Sequence, residues 1–121
     1  MTKPIYCSIG NNDSFNGNYY VDPNGLFYTF LSNHLYKDNW YSCLQNNKNK
    51  NKFRKRFPKC GYYEIRLPKH HKNKLIVLNT TLLSASATTK DEDLKKAQDI
   101  EVRKQFKWLR NKLNHTYPTV P

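Results

Sequence analysis

The chain is short of negative charge. Nine Asp and Glu stand against 21 Lys and Arg, a net charge of +12. Such a field attracts nucleic acid, anionic lipid headgroups or phosphorylated substrates, and charge alone does not choose among them. Long apolar runs are missing too. The longest aliphatic run is Leu75–Leu78, and Met1-Thr2-Lys3-Pro4 opens no apolar stretch, so neither a membrane span nor a signal peptide is expected here. An exported parent protein would carry its address upstream. The three cysteines, Cys7, Cys43 and Cys60, form no C-x-x-C pair and have no His at zinc-finger spacing. That argues against structural zinc and leaves room for one disulfide, including a Cys43–Cys60 pair, with an odd thiol. No two of the four His share a helix at i, i+4, and no internal repeat is visible.

What is present is enough for one domain with a thin core. The 121 residues are 37% apolar, a low share, but 14% aromatic, far too many for a disordered polar tract. Ile5-Tyr6-Cys7-Ser8-Ile9 is β-prone and is stopped by Gly10, so it reads as a strand delivering a loop at its C-terminal end, where α/β folds place chemistry. Asp22-Pro23-Asn24-Gly25 is a turn signature. After it, Phe27, Phe30, Leu31, Leu35 and Trp40 recur at roughly helical spacing within Leu26–Leu44. Residues 45–59 form a basic Asn/Lys-rich stretch that reads as a solvated loop.

Tyr63, Ile65 and Leu67 alternate with Glu64 and Arg66, the period of a half-buried strand closed by Pro68. A turn region over Lys69–Asn73 leads to Leu75-Ile76-Val77-Leu78, which lacks alternation and reads as a second strand buried on both faces. Thr89-Lys90-Asp91-Glu92 fits a capping box, and Val102, Phe106, Leu109 and Leu113 form a 4-3-4 stripe, which predicts an amphipathic helix from about Glu92 to Leu113.

The sharpest local feature is Gly10-Asn11-Asn12-Asp13, just after the first expected strand. Gly10 would permit a sharp turn, and Asn11 would offer a neutral amide oxygen to a divalent cation. The same four residue types also make ordinary β-turns. This block resembles the G-N-H-[DE] motif of the calcineurin-like metallophosphoesterases. The resemblance extends collinearly from Ile5 to Leu113. Phe53 through Pro68, ending in Cys60-Gly61-Tyr62-Tyr63-Glu64-Ile65-Arg66-Leu67-Pro68, is similar to the G-Y-Y strand of the acid-sphingomyelinase-like branch. Leu78-Asn79-Thr80 looks like its L-N-T turn, and Gln105-Phe106-Lys107-Trp108-Leu109 like its Q-F-x-W-L helix face. Trp40-Tyr41-Ser42-Cys43-Leu44 sits where that branch has a W-x-x-W-L-like segment.

The resemblance implies part of an α/β/β/α sandwich and a parent enzyme that hydrolyses phosphodiesters such as sphingomyelin, or phosphomonoesters including nucleotides. Relatives are mostly secreted or otherwise extracytoplasmic. It implies Asn11 as a metal ligand, Asp13 and Gly10 as supports of that loop, and two divalent ions, zinc or similar, clamping attacking and leaving oxygens. Asn12 stands at the family's catalytic His position; it can hold a phosphate oxygen but delivers no proton near neutral pH. The family's D-x-H and G-D-x-x-D blocks have no counterpart before Ile5, and its His and G-H-x-H blocks would lie beyond Pro121. This segment is therefore expected to bind no metal pair stably by itself and to need the remainder of the domain.

Tyr19 and Tyr20 either line a substrate cleft or supply packing. Trp108 and Phe106 read as core or near-core residues. His70 and His71 read as solvated turn residues, His34 as a packed, hydrogen-bonded side chain, and His115 as a cation at a helix C-terminus. Two other functional readings stand beside the enzymatic one: a basic, aromatic-rich module that grips nucleic acid or an anionic surface, which only the charge supports, and a gene fragment with no activity of its own.

Overall fold

The computed structural model describes residues 6–16, 19–35, 47–67, 70–84 and 89–116. The Asp22–Gly25 turn forms as its composition predicts. Gly25 N donates to Asp22 O at 2.9 Å, and Asn24 adopts φ +60°. A Cβ at position 25 would meet the Asp22 backbone oxygen at 2.8 Å, so glycine is needed there. Helix α1, Leu26–Leu35, follows at once. Its buried face carries Tyr28 and Ser32, while Leu26 and Phe30 are exposed. Of the anticipated stripe, Phe27 and Leu31 pack half-buried against the core while Phe30 faces solvent, and Trp40 lies outside the described residues.

The Asn/Lys-rich stretch is not a loop. Asn47–Cys60 is helix α2, and the reason lies in four residues: Asn49, Phe53, Phe57 and Cys60 fall on one face at spacings of four, four and three, and all are buried. Pro58 is tolerated in the last turn. Gly61 then ends the helix with φ +76°, its N–H returning to Phe57 O at 2.7 Å. A side chain there would touch Ile9 Cγ1 and Tyr28 Cε1 at 3.0 Å.

Strand β1, Tyr63–Leu67, matches its alternating pattern in extent but not in burial. Tyr63, Glu64 and Ile65 are all buried. It pairs antiparallel with β2, His70–Val77, in the register Tyr63↔Val77, Glu64↔Ile76, Ile65↔Leu75 and Arg66↔Lys74, with an irregularity before Leu67↔His70. Strand β2 therefore takes up most of the expected turn region, including His70 and His71. Leu75, Ile76, Val77 and Leu78 are half-buried rather than enclosed on both faces. Among the described residues the sheet has two strands, so β2 is an edge strand whose apolar residues keep part of their surface in solvent.

Helix α2 runs along the other edge of β1. Asn49 Oδ1 accepts from Arg66 N at 2.9 Å and its Nδ2 donates to Arg66 O at 3.0 Å, so one amide takes the place of a strand neighbour. Phe53 and Phe57 stack on each other at 4.6 Å and reach Tyr63 on one face of β1. Arg56 approaches Tyr62 on the other.

After β2 a short 3₁₀ turn, Thr80–Leu83, is capped by Asn79. Helix α3 spans Glu92–Thr116, one turn longer than the stripe predicts. Its cap is Asp91, whose Oδ1 accepts from Asp93 N at 3.0 Å and Leu94 N at 3.1 Å; Thr89 accepts only from Asp91 N. The N-cap therefore lies two residues later than expected, and with Leu94 at the third helical position it is a single-sided cap rather than a capping box. The buried face is Gln98, Glu101, Gln105 and Trp108, whereas Phe106 and Leu113 are 50% and 45% exposed. The apolar stripe lies to one side of that face. The described residues thus form a mixed helix-and-sheet fold within the broad α/β class.

Candidate functional site

Residues 6–10 form no strand. The expected ladder does not form over the described residues because β1 has β2 on one edge and Asn49 of α2 on the other; the Tyr63 hydroxyl donates to Cys7 O and ties the segment to the sheet. Ile9 instead packs against Gly61. The loop at its end is nonetheless well defined. Asp13 N donates to Gly10 O at 3.2 Å, a one-turn closure, and Asp13 Oδ2 accepts from Gly10 N at 2.8 Å. Asp13 therefore orders the loop through both its backbone N–H and its carboxylate. Gly10 does not occupy the left-handed region, and a Cβ there would make ordinary contact with Asp13, so its conformational freedom is not used.

Asn11 and Asn12 are both exposed. The Asn11 amide nitrogen donates to Asn12 Oδ1 at 3.4 Å, and Asn11 O accepts from Tyr19 N at 2.6 Å. That last contact bends the chain back on itself at Tyr19, whose φ of +58° is unusual for a bulky residue. Beside this loop lies a cavity of about 230 Å³ lined by Ser14, Phe15, Tyr20, Asp22, Leu26 and Phe27. Tyr20 is a wall of it; Tyr19 is not. Phe15, 60% exposed, meets Phe27 and Phe30 edge-on at 5.1 and 5.6 Å. Position 15 was legible as an aromatic two residues past the motif, yet nothing in the sequence tied it to α1.

One amide oxygen does not make a metal centre. Among the described residues no three His, Cys, Asp or Glu side chains gather as cation ligands. The residues present do not fit a dinuclear metal site by themselves, and no chemical step is derived through one. Cys7 and Cys60 are free thiols, and Cys43 lies outside the described residues. Burial, reinforced by Glu101, pushes the Cys60 thiol far up, and burial does the same to the Tyr28 hydroxyl, so both stay protonated and unreactive near neutral pH. His34 is exposed but engaged: Nδ1 lies 3.0 Å from Phe30 O and the ring stacks on Phe30. His115 falls in the last turn of α3, as expected.

Two polar constellations went unnoticed in the sequence. In the first, Gln105 of α3 brackets the backbone of Asn79: Oε1 accepts from Asn79 N at 2.8 Å and Nε2 donates to Asn79 O at 3.2 Å. The fully buried Asn79 side chain donates to Cys60 O at 2.9 Å and to the Tyr28 hydroxyl at 3.2 Å. Next to it Tyr62 packs against Trp108 at 5.1 Å and its hydroxyl donates to Glu101. In the second, buried Glu64 is shared by three ammonium groups. Lys112 and Lys52 reach Oε1 at 2.6 and 3.4 Å, and Lys74 lies 3.9 Å from Oε2. Burial pushes the Glu64 carboxyl up, but the Lys112 hydrogen bond and the charges of Lys112, Lys52 and Lys74 outweigh it and hold the group below its ordinary value.

No family model matches the chain, and neither the curated proteins nor the solved structures contain a match to it. No helix among the described residues is long and apolar enough to cross a membrane.

Proposed function

We propose that this chain is the middle section of a metal-dependent phosphoesterase domain of the calcineurin-like, acid-sphingomyelinase-like kind, and that it is catalytically incomplete alone. The observation that supports this reading is the meeting of collinear blocks. Asn79 of the L-N-T-like turn and Gln105 of the Q-F-x-W-L-like face are hydrogen-bonded, and Asn79 also binds Cys60 O, just ahead of the Gly61-Tyr62-Tyr63 block. Trp108 of the Q-F-x-W-L-like face lies against Tyr62. Residues that resemble separate stretches of one family sequence thus form a single buried contact, as functional scaffolding requires.

In this reading Asn11 supplies one amide oxygen to a pair of divalent ions whose other ligands come from elsewhere in the parent protein. Asn12 positions a phosphoester oxygen without donating a proton. The segment ending at Ile9 gains a strand neighbour from the rest of an α/β/β/α sandwich. The substrate is a phosphodiester or phosphomonoester.

The test has two arms. The 121-residue chain, assayed on a chromogenic phosphodiester with Zn²⁺ or Mn²⁺, gives only background hydrolysis; robust turnover abolished by Asn11→Ala overturns its incompleteness. The surrounding coding region is then read for D-x-H, G-D-x-x-D and G-H-x-H blocks and expressed whole. Absence of those blocks, or hydrolysis indifferent to Asn11→Ala, removes the phosphoesterase reading itself.

A further inference from the structure

Charge is unevenly placed along this chain. Residues 6–35 hold Asp13 and Asp22 and no Lys or Arg, whereas residues 47–74 hold eleven Lys and Arg and one carboxylate, Glu64. That carboxylate is buried and already shared by Lys52, Lys74 and Lys112. Helix α2 carries seven of the cations and no acidic residue. Its buried face, Asn49, Phe53, Phe57 and Cys60, fixes which of them share a side. Lys48, Lys52, Lys55 and Lys59 recur at spacings of four, three and four, so they form one ridge about 16 Å long. Lys48, Lys52 and Lys55 are exposed, and Lys59 is partly so. Towards α3 the ridge is bordered by Arg56 and Lys112, which line one depression with Lys52 and Lys55. The rings of Tyr62 and Trp108, each 5.7 Å from its guanidinium carbon, hold Arg56 there.

Like charges at these helical spacings repel one another, and an anion that repeats along the ridge relieves that repulsion. Duplex nucleic acid carries one phosphate charge per about 1.7 Å of its axis, twice the density of one of its strands, so a ridge of this length meets several phosphates at once. Two other anionic partners fit less well. An amphipathic helix that lies on a bilayer sinks apolar side chains among the lipids, but Phe53 and Phe57 of α2 are enclosed in the core. Single strands are gripped by stacking their bases on exposed rings, and the rings beside the ridge, Tyr62 and Trp108, are buried too. Lysine ammonium groups on such a surface contact phosphates and read no bases.

We propose that the lysine ridge of α2, bordered by Arg56 and Lys112, is a docking surface for the phosphate backbone of double-stranded nucleic acid, held by charge and blind to sequence. It does not use the Asn11 loop, and it does not depend on the chain belonging to a phosphoesterase.

The test is fluorescence anisotropy of a labelled DNA duplex of about 20 base pairs, titrated with the full chain between about 50 and 200 mM salt. Four lysine–phosphate contacts give log K against log salt a slope of about −3.6, a loss of roughly 150-fold in affinity over that range. Lys48→Gln combined with Lys55→Gln, at two exposed positions, should make the slope shallower by about 2 and weaken binding. Lys95→Gln combined with Lys96→Gln removes the same charge from exposed positions on α3; Lys96 stands sixteen residues before Lys112 and therefore about 24 Å along the helix. That control should keep the wild-type slope. Circular dichroism checks that both double variants keep their helices. In competition, an RNA duplex of the same length should displace the DNA about as well as unlabelled DNA does, and the DNA single strand should do so less well. No binding at the lowest salt, or equal changes of slope in the two double variants, overturns the proposal. So does a single strand, or a phosphatidylserine vesicle at equal phosphate concentration, that competes better than the duplex, and so does a strong preference for either kind of duplex.

Discussion

Replacing Gln105 by leucine should damage this protein more than removing the largest aromatic of the apolar stripe beside it. The two substitutions lie on adjacent residues of α3 and pit the sequence pattern against the tertiary contacts. Gln105→Leu keeps the side-chain volume near its original value and raises hydrophobicity, so a reading from periodicity alone predicts little cost. In the structure, however, Gln105 supplies the partners of both Asn79 N and Asn79 O in a fully buried setting. Each backbone group left without a partner costs about 1–3 kcal/mol, so the pair together cost about 3 kcal/mol or more. Against a total stability on the order of 5–15 kcal/mol, that is a large fraction. Phe106→Ala removes a ring that is half in solvent, at a cost of about 1 kcal/mol. Urea titrations followed by far-ultraviolet circular dichroism measure both. A larger loss for Phe106→Ala than for Gln105→Leu would refute the placement of the buried face of α3.

Three further outcomes follow from particular contacts. Gly61→Ala forces a side chain into a left-handed residue and against Ile9 and Tyr28 at 3.0 Å, and should cost about 2 kcal/mol or more by urea denaturation; a neutral result would mean that α2 ends differently. Asp91→Ala should cost about 1 kcal/mol by removing the cap on two α3 amides, with Thr89→Ala costing less; the reverse order would restore the earlier capping box. Because the folded protein holds the Glu64 carboxyl below its unfolded value, its contribution is present at neutral pH. That contribution is lost as the pH falls below about 4.3 towards the depressed folded value. The urea midpoint should therefore drop on acidification, and Glu64→Gln should flatten that drop; an unchanged pH profile in the variant would show that Glu64 is not the group responsible.

The elements whose signals are local were legible from the residues alone. Pro23, Asn24 and Gly25 prescribe a turn through their own backbone preferences, the Tyr63–Leu67 alternation prescribes a strand, and the acidic start and long periodicity of Glu92–Thr116 prescribe a helix. Composition misled at Asn47–Cys60, where seven cations conceal four residues on one buried face. Their surface charge says solvated, and their spacing says helix; packing of Phe53 and Phe57 against Tyr63 decides between the two. The Gly10–Asp13 loop was visible as a motif, yet the sequence could not say that no strand would precede it.

What the sequence determined by itself, then, was the charge, the Asp22–Gly25 turn, the extent of β1 and the start of α3, and the order of blocks on which the proposed function rests. Which face of each segment is buried was decided only by the tertiary structure. Asn49 and Gln105 each satisfy a strand or turn backbone from another element, and Glu64 collects lysines from α2, β2 and α3. A side-chain amide or carboxylate has no periodicity that announces such a role, because its partner lies 17 or 26 residues away and becomes a partner only when the chain has folded.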